Sequence, residues 1–143
     1  MTKIVLISCV SKKESHLSKA EDLYKSPLFR YSLKYARNLN PYKIYILSAK
    51  HGLLTLNYKI KPYNETLNEM KLEQIKRWSL DVLKKLKKET DLQNDEFIFL
   101  AGEKYRKYLI PHIVHHIIPM KGLSIGKQLK FLKDKIKNES DMQ

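Results

Sequence analysis

The residues best suited to chemistry stand in Ser48-Ala49-Lys50-His51-Gly52-Leu53, where a cation and an imidazole meet a glycine at the end of an apolar run. Histidine titrates near neutral pH, and lysine supplies a positive charge or, when desolvated, a nucleophile. Lys50 and His51 are therefore the candidate catalytic pair, able to hold an anion and move a proton. The plainer reading of the same residues is a tight turn that needs Gly52 for its backbone. A second cluster, Ser8, Cys9, Ser11, Lys12 and Lys13, follows the first apolar run and offers hydroxyls, amides and cations to an anion. Cys9 could act as a nucleophile, but a lone buried thiol more often packs as a small apolar group. Tyr24, Ser26 and Phe29 surround a helix start, and Pro62-Tyr63-Asn64 lies in an irregular stretch. Aromatic rings beside amides and cations suit a planar base.

Other residues invite chemistry less. His112, His115 and His116 match no metal-ligand spacing, so no metal or other cofactor is expected. Tyr31, Tyr35 and Trp78 stand at helix spacing and read as packing. Lys84, Lys85, Lys87 and Lys88 form a basic helix face, either solvated or a footprint for a polyanion.

These residues need elements to position them. Lys3 to Val10 and Lys43 to Ser48 are short β-branched runs, the pattern of strands buried on both faces. Between them, Asp22 to Leu39 carries Leu23, Leu28, Tyr31, Tyr35 and Leu39 at helical spacing, with Pro27 tolerated in a first turn and Asn40-Pro41 as a stop. Leu53 to Asn68 is irregular. Leu72, Ile75, Leu80, Leu83 and Leu86 predict a second long helix, Glu96 to Ala101 a third strand, His115 to Pro119 a short fourth strand, and Ile125 to Ile136 a terminal helix. Strands alternating with helices predict an α/β three-layer sandwich with a mainly parallel sheet of four or five strands. One domain over residues 1–138 with a flexible tail at 139–143 is expected. In such sheets ligands bind beyond the carboxyl ends of the strands. Ser8, Tyr24, Ser26, Lys50, His51 and Tyr63 are therefore expected around one crevice there.

Composition narrows the class. The chain has 143 residues, 43% of them hydrophobic and 30% charged, which suits a globular domain with a real core. One cysteine excludes an internal disulfide and a cysteine zinc site. No apolar run is long enough for a signal core or a membrane span, so a cytoplasmic protein without a membrane partner is expected. The formal net charge of +13 favours polyanions through counterion release. All but four of the 28 basic residues are lysine, so a general lysine enrichment would produce the same excess.

Several segments carry a resemblance. Leu6-Ile7-Ser8-Cys9, Asp22 to Phe29, Ile46 to Leu54 and Pro62-Tyr63 resemble a small bacterial and phage domain family related to the YaaA-like peroxide-stress proteins. Leu100-Ala101-Gly102-Glu103-Lys104-Tyr105 is similar to a third-strand motif of that group, and Gly122 to Gly126 with Leu129 and Leu132 to the small family's tail. A more distant likeness is to the core of archaeosine synthase. The resemblance implies nucleic-acid association, with Ser8, Cys9, Lys12, Tyr24, Ser26, Ser48, Gly52, Tyr63, Gly102 and Tyr105 as ligand-binding residues. The chain lacks the helical insertion that carries duplex binding in full-length YaaA-like proteins. The expected partner is thus a nucleic acid, nucleotide or nucleobase. Two functions fit: an enzyme of base modification or DNA damage response, or a noncatalytic regulator that sequesters a nucleotide or binds a partner protein, such as an antidefence protein.

Overall fold

In the computed structural model, which describes residues 2–8 and 16–141, five strands form one sheet in the order β4-β3-β1-β6-β7. The central strand is β1 (Lys3–Ser8), parallel to β3 (Lys43–Ser48) on one side and to β6 (Glu96–Leu100) on the other. Its apolar residues alternate between two cores. Ile4 and Leu6 face one, with α3 (Leu72–Glu89) above them; Val5 and Ile7 face the other, with α2 (Pro27–Asn38) and α5 (Ile125–Asp141). Burial on both faces explains the unbroken apolar reading of the strand. The short strand β7 (His115–Ile117) extends the sheet in parallel beyond β6. The fold is the expected three-layer α/β sandwich with a mostly parallel sheet.

Local differences from the sequence reading have physical causes. The helix expected from Asp22 to Leu39 is two helices, α1 (Ala20–Leu23) and α2, separated by the extended residues Tyr24 to Ser26. Pro27 excludes helical backbone at Ser26, whose φ of −60° and ψ of 142° are extended, and the Ser26 hydroxyl accepts the Phe29 amide proton as an N-cap. Asn40 ends α2 with a left-handed φ of 50°. On α3, Leu72 and Leu80 are exposed, correcting the expected stripe. The buried face comprises Ile75, Trp78, Ser79, Val82, Leu83 and Leu86.

The segment read as irregular after Gly52 contains β4 (Gly52–Thr55), which folds back antiparallel on β3, and β5 (Lys59–Ile60), which pairs with β2 (Ser18–Lys19). A single-turn helix at Leu67–Glu69 precedes α3. After β6 the chain passes through α4 (Glu103–Arg106) and a second single turn at Ile110–His112 to β7. The last helix, expected to end at Ile136, continues to Asp141. Expected strand residues Cys9 and Val10 lie outside the described residues. Among the described residues no helix is long and apolar enough to cross a membrane.

Candidate functional site

The expected residues fall into two groups at the carboxyl edge of the sheet. The first is built on the turn between β3 and β4. Ser48 and Gly52 pair across it, and Gly52 takes a left-handed φ of 74°. The Ser48 hydroxyl donates to Tyr63 Oη at 2.8 Å and accepts the His51 amide proton at 3.0 Å. Tyr63 Oη lies 2.6 Å from Tyr24 Oη, and the Trp78 indole donates to the Ser48 carbonyl at 2.8 Å. The His51 ring meets the Tyr63 ring edge-on at 5.5 Å, while Lys85 donates to the His51 carbonyl at 3.2 Å.

Burial, the Lys50 charge and, more weakly, Lys85 push the His51 pKa down, with Glu65 opposing them. Tyr24, Ser26, Ser48 and Tyr63 are buried, and they bond to one another and to nearby backbone. The cluster ties α1, β3, α3 and the Tyr63 segment together. Lys50 is exposed at the tip of the turn.

The second group surrounds a cavity of about 960 Å³ at the ends of β1 and β6. Topology accounts for its place. After β1 the chain moves to α2 on one face; after β6 it moves to α4, whose Tyr105 packs in the core on the other. Connections that diverge to opposite faces open a crevice between adjacent strand ends. Ser8 and Gly102 meet there, the Gly102 amide donating to the Ser8 hydroxyl at 3.0 Å.

The cavity's lining residues come from both faces of the sheet, and each set is called an arm of the cavity. On the α3 side stand Asn68, Leu72, Ile75, Tyr105 and Tyr108; on the other stand Leu28, Ser32, Leu123, Ser124, Ile125 and Gln128. Lys104, Arg106 and Lys107 also line it, with Glu103 as an opposing charge. The Tyr108 ring is flanked by the ammonium groups of Lys76 and Lys107, 5.6 and 5.8 Å from its centroid. Arg106 is anchored by a 2.7 Å bond to the Ala101 carbonyl.

Of the expected site residues, Ser8, Gly102 and Tyr105 line this cavity; Tyr24, Ser26, Ser48, Lys50, His51, Gly52 and Tyr63 are not among its lining residues. Cys9 and Lys12 lie outside the described residues. Among the described residues no group of three or more His, Cys, Asp or Glu side chains is placed to hold a metal ion. The lysines of the α3 face are exposed. Sequence reasoning passed over Ser32, Asn68, Tyr108 and Gln128. One signal was present: Ser32 interrupts the apolar face of α2, where a hydroxyl requires a reason.

No curated protein and no solved structure matches the chain. A family model does match, over residues 4–134, nearly the whole sandwich including both groups of residues. The chain therefore belongs to the family of unknown function DUF6884.

Proposed function

We propose that this protein recognises a nucleotide or nucleobase in the cavity at the ends of β1 and β6. The observation that carries the reading is the combination of lining groups. Tyr108, flanked by two lysines, offers a cation-rich aromatic surface, and Asn68 on the same arm can both donate to and accept from the edge of a base. Lys104, Arg106 and Lys107 add positive charge, in keeping with the net charge of +13. The volume is at the upper end of the roughly 300–1,000 Å³ usual for small-ligand sites. Resemblance to the YaaA-like proteins supports the same ligand class.

Recognition is favoured over turnover, because Lys50 and His51, the pair best suited to proton transfer, are not among the residues lining the cavity. Calorimetric titration with a panel of nucleobases, nucleosides and nucleoside monophosphates tests the reading. At least one ligand should bind saturably with a Kd of about 1 mM or tighter. Tyr108→Ala should weaken that ligand about fivefold or more, the usual worth of one stacked base. Absence of saturable binding across the panel, or unchanged affinity in Tyr108→Ala, would overturn it.

A further inference from the structure

We infer that the arm between α2 and α5 is a phosphoryl-binding subsite, an assignment that deepens the nucleotide reading by fixing which end of the ligand lies where. Ser32 is 3% exposed and lines the cavity, yet its hydroxyl makes no hydrogen bond among the described residues. Among the described residues no buried polar side-chain atom sealed from solvent lacks a partner, so the Ser32 hydroxyl opens onto the cavity it lines. A hydroxyl without an internal partner at a cavity wall keeps its bonding capacity for water or a ligand.

Two helix starts converge at the same place. Ser124 caps α5, accepting the Lys127 amide proton at 3.4 Å, and Gly122 takes a φ of 79° in the approach to it. Leu28 and Ile125, in the first turns of α2 and α5, line the arm, and their amides have no intrahelical acceptor. First-turn residues of both helices line the same cavity, so their positive dipole ends share this edge. Ser8 adds a second hydroxyl. Its oxygen already accepts from Gly102, leaving its proton for a ligand. Amide donors, two serine hydroxyls and positive helix ends match the oxygens of a phosphoryl group. The base-suited groups, Asn68 and Tyr108, lie on the other arm, so a nucleotide would span the sheet edge.

Pyrophosphate is the direct probe, titrated into the full-length protein at low ionic strength and followed by phosphorus NMR. Saturable binding is expected. Ser32→Ala should weaken it about tenfold, the usual worth of one hydrogen bond to a charged group. Ile125→Pro deletes one amide at a first helical position, where proline is tolerated, and should also weaken it. Unaltered thermal midpoints in both variants would show that the fold persists. No pyrophosphate binding, or binding that neither variant weakens and that therefore belongs to surface lysines, would overturn the subsite. If pyrophosphate binds in this variant-sensitive way while the nucleotide panel fails, the subsite stands and the nucleotide reading falls. Binding of a nucleoside without pyrophosphate binding gives the reverse.

Discussion

The β3–β4 turn and the cavity between β1 and β6 lie at the same edge of one sheet, but their polar groups are arranged differently. At the turn, Ser48, Tyr63, Tyr24 and Trp78 are buried and bonded to groups within the protein. In the cavity, the Ser32 hydroxyl is buried from bulk solvent and has no partner among the described residues. Unmet bonding capacity, rather than reactive residue type, distinguishes a place for a ligand from a place that holds the fold. A chemically suggestive strand end can spend its polar groups on architecture.

The largest expected effect tests the structural half of that contrast. Trp78 is 8% exposed, meets Tyr105 edge-on at 5.6 Å and donates to the Ser48 carbonyl. Trp78→Ala should cost about 3–5 kcal/mol of stability in urea denaturation, from lost packing and a lost bond. A loss well below 1 kcal/mol would mean that the turn is not held as described.

A smaller change sharpens the contrast directly. Tyr63→Phe keeps the ring and removes the acceptor used by Ser48 and the partner of Tyr24, so it should cost about 1–3 kcal/mol. Ser32→Ala removes a hydroxyl with no partner among the described residues and should leave stability within about 0.5 kcal/mol. Denaturation of the two variants side by side decides the matter. Equal losses would erase the distinction between the two regions.

Much of the fold was legible because its strands carry an unmistakable pattern. Lys3 to Val10 and Lys43 to Ser48 are β-branched runs with the pattern of a twice-covered strand, and Lys3–Ser8 and Lys43–Ser48 are such strands. The phase of α3 was less legible. The leucine stripe included Leu72 and Leu80, which are exposed, and omitted Val82, whereas Trp78, read as packing, does turn inward, where its indole reaches the Ser48 carbonyl. No short-range pattern marks β4, whose pairing depends on the turn at Gly52, or the two-residue strands β2 and β5.

The candidate site was legible in its strand ends, Ser8 and Gly102. Its other walls come from segments far apart in sequence, and the decisive property of Ser32 is the lack of a partner among the described residues. That property exists only once the chain has folded.

The smallest expected effect concerns His51. Burial and the Lys50 charge disfavour the imidazolium, so its pKa lies below the ordinary histidine value. Between that depressed value and the ordinary one, the unfolded chain binds the proton more readily than the folded chain. Stability therefore rises with pH through this window, and the contribution is lost as pH falls below it. The side chain is only partly buried and Lys50 is exposed, so solvent screens the Coulombic part and keeps it modest. In a proton NMR titration of His51, Lys50→Ala should raise the midpoint without restoring the ordinary value, because burial remains. Added salt should raise the wild-type midpoint in the same direction and have less effect in Lys50→Ala, since only the charge-dependent part is screened. A wild-type midpoint at the ordinary value would place the ring in bulk solvent and remove it from the packed turn. A midpoint indifferent to Lys50 but still depressed would leave burial against Tyr63 as the sufficient cause, which would make the turn still more plainly a structural element.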